Sequence, residues 1–294
     1  MGDLLRLEAG RARADFDLAG AQLRRWTVGD RDLLWSPDPM VWDAVAPVLL
    51  PVVGWTRGGQ VRVGEESYPL GLHGFAGDRA FRVAERRANA VVLIDRADQD
   101  TRRAYPFDYE LEIEFHLGED RLSCQARVRN AGEQPMPYAF GLHPGFRWPH
   151  GQGRIVFDEA EAPHVPVITG DGLFAPERRA VPLRGRELVL SPGLLAAEAL
   201  CFLDIRSRGL VYEAEGFGRL RVALDDVPHV ALWSRPPAPF LCIEAWTGHG
   251  DPAGFAGDLF QKPSMRVLSP GASARHGATW TFAPDGVHSA PGSP

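Results

Sequence analysis

The segment DYELEIEFHLGEDRLSCQARVRNAG, Asp108 to Gly132, constrains the fold more than any other stretch of the chain. Tyr109, Leu111, Ile113 and Phe115 alternate with Glu110, Glu112 and Glu114. A Gly-Glu-Asp turn follows, and Leu122, Cys124, Ala126 and Val128 carry the apolar pattern back. A period of two puts apolar side chains on one face of a strand, whereas a helix would scatter them around its surface. The segment therefore predicts an antiparallel hairpin with one buried face.

The same logic extends along the chain. RARADFDLAGAQLRRWTVGDRDLLW reads as strands broken by Ala-Gly and Gly-Asp turns, and GFGRLRVALDD and MRVLSPGASARHGATWTFAP read alike. Helical windows are scarce. APVLLPVVG is too short and Pro51 interrupts it; SPGLLAAEALCFLDI predicts a turn or two of helix before a strand. The 32 glycines and 25 prolines are scattered between short runs rather than clustered. Many short strands with regular turn signals predict an all-β fold, a large antiparallel β-sandwich. No composition shift marks a boundary, so one domain over residues 1–284 is expected, followed by a disordered tail over 285–294.

Composition excludes several classes of function. The 294 residues are 45% hydrophobic and 24% charged, with a net charge of -6, which leaves no electrostatic footprint for nucleic acid or an anionic membrane. No apolar run approaches the roughly 18 residues of a membrane span. The first twenty residues are too charged for a signal peptide, and Cys124, Cys201 and Cys242 stand in no CxxC or CxxH spacing. A cytoplasmic protein is the expectation. There is no G-x-S-x-G elbow, no HxH or HExxH metal spacing, and no glycine loop leading into a helix.

Three segments combine titratable groups with glycine and aromatic residues: YPLGLHGFAGDRAFRV with His73, YAFGLHPGFRWP with His143, and APFLCIEAWTGHGDP with Glu244 and His249. Each follows or interrupts a strand-like run, and loops on a rigid scaffold are where function concentrates. A glutamate emerging from the apolar run FLCI is partly desolvated, which suits a tuned general base, although a strand-end glutamate turned to solvent explains it as well. A lone histidine in a Gly/Pro turn has an ordinary structural role more often than a catalytic one. His116, His150, His164, His229, His276 and His288 have no second polar feature beside them and read as structural; His249 is ambiguous, being close to Glu244.

Taken together, APVLLPVVG, LHGFAGDRAFRV, FGLHPGFRWP, PHVALWSRPPAPFLCIEAWTGHGDP and QKPSMRVLSPGAS occur in an order that resembles the aldose 1-epimerase (galactose mutarotase) superfamily, most closely its LacX-like branch. The resemblance spans roughly Trp42 to Phe282. It implies a galactose mutarotase-like supersandwich with an open sugar cleft on one sheet, a small-molecule aldose as partner, no cofactor and no metal. It implies interconversion of α and β anomers, with Glu244 as the base on the C1 hydroxyl, His143 as the acid at the ring oxygen and His73 holding the same region of the sugar. Trp246 and Phe75, and Phe146 less readily, would offer apolar faces to the ring.

Two positions depart from that pattern. Where many relatives carry an arginine that contacts sugar hydroxyls, this chain has Trp55; Arg57 is two residues on, on the same face of a strand. Glu198 stands where the family often has a binding aspartate, with Asp204 the alternative. The Trp55 replacement also fits a second reading, a sugar-binding or sensing protein without catalysis. A glycoside-active enzyme is a third, though it would ordinarily need two carboxylates flanking the scissile bond.

Overall fold

The Tyr109–Leu117 and Arg121–Asn130 strands pair antiparallel, with Leu111 opposite Val128, Ile113 opposite Ala126 and Phe115 opposite Cys124. These six side chains are buried. On the other face, Glu112 meets Arg127 directly across the pair in a two-pronged ion pair, the cross-strand matching that fixes register. The computed structural model describes residues 4–284, so the tail expected at 285–294 lies outside the described residues.

That hairpin lies within a ten-stranded antiparallel sheet. Its order runs 183–184, 187–190, 153–157, 209–214, 218–225, 273–283, 121–130, 109–117, 90–96 and 82–86. A six-stranded sheet has the order 200–202, 229–233, 240–246, 141–142 and 48–49, with 145–147 also paired to 240–246. One core joins the two, drawing Leu220, Val222 and Trp280 from the larger sheet and Val230, Leu232, Leu241 and Ile243 from the smaller. An N-terminal four-stranded sheet, 5–9, 12–17, 22–28 and 31–32, adds Phe16 and Trp26 to that core. The expected all-β antiparallel sandwich is the fold.

Helix is confined to short pieces. Pro192–Leu195 forms the single turn expected before a strand, here Leu200–Phe202. Gln99–Ala104 is a helix the apolar pattern does not announce. Its signal is capping: the Asp98 carboxylate accepts from the N–H groups of Asp100 and Thr101, each at 2.9 Å, while the Asp98 N–H donates to the Thr101 hydroxyl. An aspartate three residues before a threonine closes the start of a helix without any periodicity. Among the described residues, no helix is long and apolar enough to cross a membrane.

Candidate active site

The central strand of the smaller sheet, Phe240–Trp246, is buried along its whole length. Strand alternation sends Leu241, Ile243 and Ala245 to one side and Cys242, Glu244 and Trp246 to the other. Leu241 and Ile243 join the large core, whereas Trp246 belongs to a separate small cluster with Leu49, Val53, Ala139, Phe174, Cys201 and Ala231. Cys242, on the Glu244 face, also joins the large core, so along that face Glu244 stands between the large core and the small cluster around Trp246.

Register explains how His143 reaches it. Gly141 pairs with Trp246, Leu142 with Ala245 and Gly145 with Cys242, an unbroken register that sets His143 directly opposite Glu244. Residues opposite one another share a face of the sheet. His143 Nε2 lies 3.2 Å from Glu244 Oε2. On the other flank of Glu244 the opposite residue is Ala231, which leaves its side of the carboxyl uncrowded. Glu244 Oε2 and His143 Nδ1 are buried without a protein hydrogen-bond partner. Such groups cost about 1–3 kcal/mol each, and in a native structure they call for a reason.

His73 joins the pair from a loop. Its ring meets that of His143 edge-on, with centroids 5.4 Å apart. His73 has φ +63° and Gly74 φ +71°, two left-handed residues in succession, which bend the loop sharply. A side chain on Gly74 would strike the Leu50 carbonyl oxygen at 2.3 Å, so glycine is required there. The Gly54 N–H donates to His73 Nδ1 at 3.1 Å. That bond places the proton of the neutral ring on Nε2 and makes His73 a hydrogen-bond donor toward any ligand.

The glycines of FGLHPGF make room for indoles. A Cβ on Gly141 would lie 2.8 Å from Trp246 Cδ1 and 2.9 Å from Leu49 Cδ1, and one on Gly145 would lie 2.7 Å from Trp42 Cζ3. Gly141→Ala is therefore expected to cost about 1–3 kcal/mol by overpacking and to shift the Trp246 indole. Urea unfolding followed by tryptophan fluorescence measures both; an unchanged midpoint and spectrum would show that the strand relaxes freely.

Burial governs the electrostatics. Glu244 is 2% exposed and His143 7%. Burial pushes the Glu244 carboxyl well above the usual glutamate range, with the Trp246 indole opposing it. Burial, reinforced by His73, pushes the His143 imidazole well below the usual histidine range. Both shifts favour neutral groups. At this distance the two groups titrate as a pair. Burial also lowers His73, to about 4.

The other expected residues are spread more widely. Trp246 lies beside the pair, its ring 6.4 Å from that of His73. Glu198 accepts from the Ile168 N–H at 2.7 Å and from Arg179 Nε at 2.5 Å. It acts together with Glu244 on the Cys201 thiol, which burial first of all drives up, so Glu198 borders the same small cluster. Asp204 points outward, its side chain 87% exposed. Phe75 packs beside Tyr105 and Tyr109, at 6.4 and 5.8 Å between centroids, and Phe146 against Trp280 at 6.2 Å. Trp55 is exposed and covers Gly172. Arg57 occupies a 3-10 turn rather than a strand, with its guanidinium on the Phe255 carbonyl at 3.3 Å.

Several side chains at the site had no motif to announce them. Trp42 and Trp233 flank His143 with centroids at 5.2 and 5.6 Å. Lys262, the one lysine of the sequence, has a fully buried side chain with Nζ 2.8 Å from Asp251 Oδ1. His229, expected to be structural, is buried opposite Trp246 in register, and its ring meets that of His249 edge-on at 5.5 Å. Only tertiary packing brings these together; an isolated tryptophan or lysine in the sequence carries no such signal.

His229 gives an acid-stability prediction. Burial, then His249, lowers it to about 4. The unfolded imidazole takes up its proton near 6.5 while the folded one does not, so the unfolded state binds more protons between those values. Stability is therefore expected to fall as pH drops from about 6.5 to 4, by up to roughly 3 kcal/mol from this group. Urea unfolding at pH 7 and 4.5 tests it, with His229→Gln expected to flatten part of the slope; identical slopes would remove His229 from the account.

The fold and the buried pair define a β-sandwich protein with a carboxyl and an imidazole side by side on one sheet face. The family model described as aldose 1-epimerase matches residues 3–167, more than half of the sequence, and the chain belongs to that family. It is 28% identical over 274 residues to the plasmid-encoded protein LacX of Lactococcus lactis subsp. lactis, covering 87% of this chain and 91% of that protein. A galactose mutarotase-like protein from Lactobacillus casei superposes with a TM-score of 0.90 at 24% identity, over 96% of this chain and all of that one. A galactose mutarotase related enzyme from Lactobacillus acidophilus gives 0.88 at 25% identity, over 97% and 100%. The sandwich is thus of the galactose mutarotase-like type.

Proposed function

We propose that the protein is a cofactor-independent aldose 1-epimerase that interconverts the α and β anomers of a free sugar. The observation that carries this reading is the contact of 3.2 Å between Glu244 and His143. Opening a cyclic aldose removes a proton from the C1 hydroxyl and adds one to the ring oxygen. Both oxygens are bonded to C1, so the base and the acid must stand side by side. Glu244 takes the C1 hydroxyl proton and His143 supplies the one for the ring oxygen; closure on the other face reverses both transfers.

Proton counting agrees with the burial. A carboxylate beside an imidazolium becomes a carboxylic acid beside an imidazole when the ring opens, and the total never changes. Desolvation favours the neutral pair, the form present with the open-chain aldehyde. Sugar hydroxyls entering the site supply hydrogen bonds to the ion pair. His73 donates through Nε2–H and stays neutral throughout, and Trp246 offers an indole face to the C–H side of the ring. The family name and the names of the galactose mutarotase-like relatives support a sugar as substrate. Glycosidases of either stereochemical outcome ordinarily need two carboxyl groups about 5–9.5 Å apart across the bond, whereas here a carboxyl faces a histidine.

Polarimetry of freshly dissolved aldoses tests the reading. Added protein should speed the approach to anomeric equilibrium for at least one sugar of a panel of hexoses and pentoses. A protein that binds sugars yet leaves every rate at the buffer value would be a binding protein, and the proposal would be wrong.

A further inference from the structure

The hairpin formed by His164–Ile168 and Phe174–Ala180 belongs to neither large sheet, yet it is held to the body at several places. Val165 is buried in the main core, and Arg179 stands opposite it in register. Glu198 grips both strands, accepting from the Ile168 N–H and from Arg179 Nε. At the tip, the Phe174 N–H donates to the Asp251 carbonyl at 2.8 Å, and the Ala253 N–H donates to the Phe174 carbonyl at 2.7 Å. Trp55 packs against the turn so closely that a Cβ on Gly172 would lie 2.0 Å from its Cδ1.

The tip covers a definite part of the smaller sheet. His143, Glu244, Ala231 and Cys201 stand in one row across it, each opposite the next. Adjacent strands are about 4.8 Å apart, so Cys201 is about 10 Å from Glu244 along that row. Phe174 is buried in the small cluster that holds Ala231, Cys201 and Trp246, and Ile168, its partner across the hairpin, packs against the same cluster. The Phe174 ring stacks on His249, with centroids 4.9 Å apart and 7° between planes, and His249 meets His229, the residue opposite Trp246. The sheet face beyond Glu244 on the side away from His143 is therefore roofed by the hairpin.

We infer that Phe174 is a specificity-determining residue, which restricts the site to free monosaccharides and turns away the reducing ends of larger saccharides. The placement of the sugar rests on the mutarotase reading. With C1 between Glu244 and His143, the rings of Trp42, Trp233 and His73 stand around the imidazole. The sugar ring therefore extends the other way, over Ala231, where a methyl group leaves room for it. Its end remote from C1 comes up against Phe174. A hydroxyl at that end is small, whereas a second sugar residue joined through it would need the volume that the Phe174 ring holds. A built clash of this kind discriminates without any added attraction for the smaller ligand.

The test compares an aldose with a reducing disaccharide that ends in it: glucose with maltose, xylose with xylobiose, mannose with mannobiose. In the parent protein kcat/KM for the disaccharide should be at least about tenfold below that for the monosaccharide, and Phe174→Ala should raise the disaccharide-to-monosaccharide ratio at least about tenfold. A ratio taken within one protein cancels any general loss of activity or stability. Trp55→Ala, at an exposed position outside the cluster, frees the tip and should move the ratio the same way. If the protein binds sugars without catalysis, calorimetric titration with the same pairs gives the ratio as Kd values, so the mutarotase reading can fail while the roof stands. A parent protein that takes the disaccharides as readily as the monosaccharides, or a ratio unmoved by both substitutions, overturns the inference, as does a protein that takes none of these sugars.

Discussion

Glu244→Gln is expected to lower kcat for anomer exchange by about a hundredfold to ten-thousandfold, the usual contribution of a positioned general base. The amide keeps the shape of the side chain but cannot accept the C1 hydroxyl proton. Sugar affinity, read by calorimetry, should change far less than kcat, because the hydrogen bond itself can still form. The substitution has a second expected effect. Burial raises the carboxyl in the folded protein, so folding at neutral and alkaline pH must protonate a group that is ionised in the unfolded chain. That part of the stability is present at acid pH and lost as pH rises through the folded value. Glu244→Gln should therefore be more stable than the parent protein at pH 8 to 9, with the difference shrinking toward pH 5. A variant that is inactive and also less stable at pH 9 would mean that Glu244 is held as a charge by partners, contrary to the burial argument.

His143→Asn is expected to cost about a hundredfold or more in kcat/KM and to change the shape of the pH profile. In the parent protein the working form carries one proton on the pair. The acid limb marks uptake of a second proton, delayed by the lowered imidazole. The alkaline limb marks loss of the shared one, delayed by the raised carboxyl. A broad plateau spanning neutrality results. Without the imidazole, Glu244 alone must lose its proton to act, so activity should rise with pH along one limb displaced to alkaline values. An unchanged plateau in His143→Asn would place the acid elsewhere.

The sheet was legible in the sequence because its signal is local. Tyr109, Leu111, Ile113 and Phe115 alternate with glutamates, and the structure pairs them in the register that this alternation demands. The Gln99–Ala104 helix escaped because its cue is a cap and not a period. The candidate pair was legible differently: Glu244 follows an apolar run, and His143 sits in a phrase whose order matched a family. The reason for the glycines was not legible. Gly141 and Gly145 suggest a flexible turn, yet the His143 segment keeps strand register and the glycines admit the Trp246 and Trp42 indoles. Arg57, expected to follow Trp55 on a strand, sits instead in a 3-10 turn, with its guanidinium on the Phe255 carbonyl. Lys262 could be found only by noticing that a chain with 32 basic residues has one lysine.

In the proposed mechanism Glu244 and His143 together move one proton between two oxygens of one sugar carbon. Exchange NMR on an equilibrated aldose tests it most directly, since magnetisation passes between the α and β C1 protons only if the ring opens and closes during the mixing time. Exchange cross-peaks are expected with catalytic amounts of protein near pH 7, and their loss with equal amounts of Glu244→Gln or His143→Asn that still bind the sugar. Cross-peaks of undiminished intensity with either variant would contradict it.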